Sequence, residues 1–183
     1  MKDFVVSEKE LHEICKRLGH ELTERYKDNV LPPVFIGVMK GALPFMMDLI
    51  REVECPILTD YVTISSYMGK ESTGVIKLKK DIDTDLTGRD VVIVEDIIDT
   101  GVTLEWFKEY LKNNYYPKDI SICVLLDKKC KRKVDVPVDY VGKEIGDAFI
   151  VGYGLDYDEF FRNEKEIFIP TKEQIEEIDK LNN

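Results

Sequence analysis

Short apolar runs alternate along the chain with longer segments whose apolar residues recur every three to four positions. VFIGVM (34–39), VVIV leading into Glu95 (91–95) and SICVLL (121–126) read as strands buried on both faces of a parallel sheet. ILTDYVTIS (57–65) and GVIKLKK (74–80) alternate enough to be strands, and EIFIP (166–170) reads as an edge strand. Leu11, Ile14, Cys15, Leu18 and Leu22 share one helical face behind the capping box Ser7-x-x-Glu10, which predicts a helix of about five turns. A largely buried helix follows over 42–50, and another over 101–112 carries Leu104, Trp106, Phe107 and Leu111. Thr171-x-x-Gln174 opens a last, mostly polar helix, and 134–153 reads as two or three short strands with turns.

Strands alternating with helices predict an α/β fold: a central, mainly parallel sheet flanked by helices. The irregular strands at 57–80 and beyond 134 add a hairpin and a small hood. With no internal repeat or linker, residues 1–183 read as a single domain, its hood formed by about 134–170 with the N-terminal segment.

Charge and composition narrow the function. The balance of 26 cationic and 36 acidic residues, net −10, disfavours a nucleic-acid partner held by a general positive field. It leaves room for a small anion gripped by local donors. No apolar run is long enough to cross a bilayer, and MKDFVVSEKE lacks a signal-peptide core, so a cytoplasmic protein without a membrane partner is expected. The four cysteines form no C-x-x-C pair and read as reduced thiols. His12 and His20 both lie in the first helix, far from every other motif, which argues against triad hydrolysis and a catalytic zinc site.

The candidate chemistry lies in VVIVEDIIDTGVTL (91–104). Ligands of parallel α/β sheets sit outside the carboxyl ends of the strands, where Glu95 and Asp96 fall. Thr100-Gly101-Val102-Thr103 then opens a helix whose free N–H groups and two hydroxyls make a phosphate cup. Without the lysine of a Walker loop, the cup suits a monophosphate. Paired carboxylates beside it would repel phosphate unless they face a sugar diol or a magnesium ion bound to one, so the spacing predicts a 5-phosphorylated ribose. The bland alternative makes Glu95, Asp96 and Asp99 first-turn acids beside a helix dipole. Three acids within five residues of a buried strand fit that poorly.

This stretch closely resembles the phosphoribosyl-diphosphate signature of the type I phosphoribosyltransferases, and E-D-I-I-D-T-G resembles their hypoxanthine-guanine branch. SSYMGKESTG (65–74), VMKG (38–41) and VGYGLDYDEFFRN (151–163) resemble the family's mobile lid, pyrophosphate loop and purine-side hood. The resemblance implies the type I phosphoribosyltransferase fold, Mg2+ as cofactor, a homodimer or homotetramer, and transfer of 5-phosphoribosyl to hypoxanthine or guanine. It further implies that Lys40 and Gly41 bind pyrophosphate, with a cis peptide before or after Lys40, and that Ser66 and Tyr67 close over it. Asp99 would exchange a proton near N7 of the purine, with Ile97 packed near the base. Lys128 would donate to the 6-oxo group, Phe149 stack on the ring and the Ile150 backbone read its edge. Asp156 would join Glu95 and Asp96 as a metal ligand, and Arg162 would contact pyrophosphate. A xanthine-preferring transferase, an RNA-binding regulator and a non-catalytic nucleotide sensor on the same fold are the competing readings.

Overall fold

The computed structural model describes residues 3–66 and 76–182. In chain order the strands are β1 Asp3–Val6, β2 Val34–Met39, β3 Leu58–Ser66, β4 Ile76–Lys80, β5 Asp90–Ile98, β6 Asp119–Asp127, β7 Tyr140–Glu144 and β8 Ile167–Ile169. The helices are α1 Glu8–Tyr26, α2 Leu43–Arg51, α3 Val102–Tyr115 and α4 Lys172–Leu181. Six strands form one sheet in the order β4-β3-β2-β5-β6-β7, parallel except for β4 at the edge, while β1 and β8 pair antiparallel apart from it.

The unbroken apolar runs arise because the sheet is covered on both sides. Phe35, Val92, Val94, Cys123 and Leu125 face α1 and α2, whereas Val34, Ile36, Val91, Ile93 and Ile122 face α3. Each side chain so buried contributes roughly 1.5–3 kcal/mol. Ser7 caps α1 by accepting from the Glu10 N–H at 3.3 Å, but the Glu10 carboxylate takes the Lys143 ammonium at 2.8 Å, leaving the expected box half made. The box at Thr171 and Gln174 is complete, with bonds of 3.3 and 2.9 Å.

Several elements differ from the sequence reading, β1 among them as a strand that the pattern did not mark. β5 runs on to Ile98, past both acids, because β6 keeps pairing with it as far as Ile98↔Asp127. Its pairing with β2 ends at Gly37↔Val94, so from Glu95 onward that edge of β5 has no strand paired to it among the described residues. α3 reaches Tyr115 rather than residue 112. The two or three strands expected over 134–153 reduce to β7. VDVPV (134–138) has the alternation of a strand, but Pro137 has no N–H to give a ladder. Farther on, Gly152, Tyr153 and Gly154 all have positive φ, and among 148–152 only Val151 and Gly152 form isolated bridges. Cys15 and Cys123 are buried, and all four thiols are free.

The strand order fixes where a ligand can sit. From β2 the chain moves outward to β3, and from β5 it moves the opposite way to β6. The crevice between the carboxyl ends of β2 and β5 is therefore the topological switch point of the sheet, where open α/β folds bind ligands.

Candidate active site

α2 and α3 both begin at this crevice without a side-chain cap; their N-cap residues are Ala42 and Gly101. Gly101 takes φ +83°, a conformation open to glycine because it has no Cβ. The first N–H groups of α3 are left to an anion, apart from a long 3.4 Å bond from the Val102 N–H to the Thr100 hydroxyl. The stretch Thr100–Thr103, where the cup is expected, thus includes an uncapped helix start.

Glu95 and Asp96 stand side by side above it. The Asp96 N–H donates to Glu95 Oε1 at 3.2 Å, and the Ile97 N–H to Asp96 Oδ1 at 2.7 Å. Burial, and then the Asp96 carboxylate beside it, push the Glu95 carboxyl well above the ordinary glutamate value. Burial raises Asp96 as well, opposed by its bond with Glu95, the Ile97 N–H and the Arg162 charge. Two adjacent acids with few donors are chemically ready for a cation or for sugar hydroxyls.

The β2 loop faces them. Its Met39–Lys40 peptide is cis, the earlier of the two positions the resemblance allowed. A Cβ on Gly41 would lie 1.8 Å from Asp96 Oδ2, and one on Gly154 would lie 2.0 Å from the Gly41 carbonyl oxygen. Three backbone segments far apart in sequence therefore meet where a side chain would not fit. Arg162 ties the hood to this point, donating to the Gly154 carbonyl at 2.7 Å and pairing with Asp156 at 2.9 Å. Glu159, which the sequence reading passed over, bridges the rim: its carboxylate takes Lys40 at 2.7 Å and Arg162 at 3.4 Å. Its spacing to Arg162 was visible in the sequence, whereas nothing local signals the pairing with Lys40.

On the base side, Asp99 is exposed and does not cap α3. Lys128 is half-buried beside it, its N–H donating to the Ile98 carbonyl at 3.0 Å. Three of the cations around Lys128 are spoken for: Lys129 pairs with Glu144, Lys131 with Asp147 and Arg132 with Asp127. Phe149 lies outside any strand, 53 % exposed and edge-on to Tyr157, while Ile150 is buried. Tyr67 and the Ser66 side chain lie outside the described residues.

A cleft of about 260 Å3 at the switch point is lined by Gly41, Glu95, Ile97, Asp99, Thr100, Gly101 and Thr103, with Val38, Met39, Ile64, Ile98 and Leu104. Lys40, Asp96, Val102, Lys128, Phe149, Ile150, Asp156 and Arg162 are not in its lining. A larger cleft, about 890 Å3, lies among α1, α2 and the hood. Two ion pairs close within it, Arg51–Asp48 at 3.5 Å and Lys165–Glu8 at 3.7 Å, and burial pushes its Cys15 thiol up to about 11. The smaller cleft brings Glu95 and Asp99 to the uncapped start of α3.

Among the described residues no three His, Cys, Asp or Glu side chains converge on one metal position. Glu95 and Asp96 offer two carboxylates, while Asp156 already accepts from Arg162 and, at 2.9 Å, from the Glu159 N–H. Such a donor set suits Mg2+, which keeps waters and binds through one or two carboxylates plus substrate oxygens.

The chain is similar to known proteins along most of its length. The chain is 48% identical over 160 residues to a hypoxanthine-guanine phosphoribosyltransferase of Bacillus subtilis, covering 87% of each protein. It is 46% identical to a hypoxanthine phosphoribosyltransferase of Salmonella typhimurium, covering 88% of this chain and 90% of that one. A crystal structure of a hypoxanthine phosphoribosyltransferase from Staphylococcus aureus superposes with TM-score 0.88 at 40% identity, covering 94% of this chain and 93% of that chain. The six-stranded sheet with its flanking helices is the type I phosphoribosyltransferase fold. With a phosphoribosyl transferase domain matched over residues 7–158, the chain belongs to the phosphoribosyltransferase family.

Proposed function

We propose that this chain is a purine-salvage transferase, moving the 5-phosphoribosyl group from 5-phosphoribosyl 1-diphosphate to hypoxanthine or guanine and yielding IMP or GMP and pyrophosphate. One observation carries the reading: an uncapped helix start and Glu95, one of a donor-poor carboxylate pair, share a single cleft at the switch point. The cup takes the 5-phosphate through the amides of residues 100–103. Glu95 and Asp96 take the 2- and 3-hydroxyls, and Gly41 leaves the backbone of the β2 loop open to the pyrophosphate. Mg2+, when bound to these carboxylates and the substrate, neutralises the leaving pyrophosphate. Asp99, exposed, accepts or returns the purine proton. The Lys128 ammonium donates to a 6-oxo group and has nothing to donate to in the 6-amino group of adenine. Arg162, Asp156 and Lys40 flank the pyrophosphate, Ile97 packs near the base, Phe149 stacks on it, the Ile150 backbone reads its edge, and Ser66 and Tyr67 close the site.

We also propose a homodimer or homotetramer. The support is an apolar surface beside the β2 loop, where Leu43, Met47 and Tyr61 are 51, 41 and 51 % exposed. The setting is the cytoplasm, where free thiols such as these four stay reduced. Turnover of hypoxanthine, guanine, xanthine and adenine, followed spectrophotometrically with and without Mg2+, tests the reading. It requires magnesium-dependent product from hypoxanthine or guanine and none from adenine; turnover of adenine would refute the role given to Lys128, and activity confined to xanthine would favour the xanthine-preferring reading.

A further inference from the structure

Behind the phosphate cup runs a segment that the assignment above does not use. The Thr100 carbonyl, at the lip of the cup, accepts from the N–H groups of both Lys133 (2.9 Å) and Val134 (3.3 Å). The Lys128 N–H holds the Ile98 carbonyl at 3.0 Å. Residues 128–134 therefore embrace residues 98–101 from below, with the base-side lysine at one end and the cup at the other. Arg132 crosses the middle. Its Cδ lies 3.1 Å from where a Cβ on Gly101 would be, and its Nη2 donates to Asp127 Oδ1 at 2.5 Å. The Asp127 carboxyl is 3 % exposed, and the residue ends β6 immediately before Lys128. Arg132 Nη1 is buried and, among the described residues, has no partner.

A buried guanidinium with an unmatched N–H costs about 1–3 kcal/mol, so Arg132 is a poor choice for stability alone. We propose that Arg132 is a positioning residue: with Asp127 it forms a strut that fixes the distance between the phosphate cup and Lys128. The aliphatic arm backs Gly101, the head is anchored to the strand end that carries Lys128, and neither touches the ligand. A strut of this kind acts on both half-sites together. Misplacing catalytic or binding groups by about 1 Å can cost up to 10²-fold.

The proposal rests on the phosphoribosyl reading, and the test keeps the two apart. Ribose 5-phosphate binding by calorimetry, KM for both substrates and kcat are measured on wild type, Arg132→Met, Arg132→Lys and Asp127→Asn, each checked as folded by thermal melting. Asp127→Asn is nearly isosteric and carries the test if Arg132→Met does not fold. The strut predicts about tenfold weaker ribose 5-phosphate binding in Arg132→Met and Asp127→Asn, a parallel rise in KM for the base, kcat within about twofold, and partial recovery in Arg132→Lys. If Arg132 served only as a positive charge behind the anion, Asp127→Asn would bind more tightly, and that result overturns the strut. Variants that bind as wild type does overturn it too. A wild-type protein that binds neither ribose 5-phosphate nor 5-phosphoribosyl 1-diphosphate overturns the phosphoribosyl reading, and the strut with it.

Discussion

Asp60 on β3 and Asp96 on β5 are equally buried, each 8 % exposed, in strands separated only by β2. Their surroundings are opposite. Asp60 accepts from the N–H groups of Tyr61, Asp83 and Thr84 at 2.7, 2.9 and 2.9 Å and from Lys80 at 3.1 Å. Burial pushes its carboxyl up, but these donors outweigh burial and hold it down to about 2. Asp96 and its neighbour Glu95 sit at the open edge of β5 with few donors, and both are pushed up instead. A buried acid with all its donors ties the β4–β5 connection to β3. A buried pair without them is incomplete until a ligand arrives.

The sharpest way to break this contrast is to remove the charge of the incomplete pair. Glu95→Gln with Asp96→Asn should lower turnover by at least about 10³-fold, roughly 4 kcal/mol of transition-state stabilisation, while the urea midpoint stays level or rises. A fall in stability like that of a satisfied acid would erase the distinction. Asp99 is a third case, exposed and, among the described residues, bound to nothing that would make it structural. Asp99→Asn should lower kcat by about 10²-fold, within the usual range for general acid–base groups, with melting unchanged. Unaltered turnover would transfer the proton role elsewhere.

Asp60→Asn should do the reverse. An amide cannot accept from four donors, and Lys80 would be left without its buried partner. A stability loss of roughly 2 kcal/mol follows, with kcat per folded molecule unchanged. Chemical denaturation and active-site titration together separate these effects.

Much of this was written in the local sequence. VVIVEDIIDTG gave the strand, the acids and the uncapped helix start, because burial period, charge and glycine are properties of neighbouring residues. The extent of β5 was not readable from 91–95. It depends on β6 continuing to pair beyond Val94 after β2 has stopped. The strands expected over 134–153 reduced to β7 for a similar reason: in VDVPV, alternation signals a strand until Pro137 denies it a ladder. The meeting of Gly41, Asp96 and Gly154 spans more than a hundred residues of chain, and only the folded backbone shows why two of them are glycine. Likewise, nothing in residues 127–132 taken alone distinguishes Arg132 from the exposed cations around it.

The smallest expected effect is the one that reports the sign of the pair directly. Between the ordinary value of 4.5 and its raised value, the Glu95 carboxyl holds a proton in the folded chain that it has lost in the unfolded one. The folded state binds more protons there, so stability declines as pH rises through that window. Asp60 behaves oppositely: its contribution is present above 3.8 and is lost as pH falls toward about 2. Melting curves from pH 4 to 9 should therefore show wild type losing ground to Glu95→Gln as pH rises, by about 2–4 °C for each 1 kcal/mol in a chain of this size. Magnesium with a ribose-phosphate ligand should abolish the difference, because binding the carboxylate displaces the proton whose presence made the free pair tolerable. A gap that widens toward acid instead would mean that Glu95 is held down by its surroundings, like Asp60, and that the pair is already complete without a ligand.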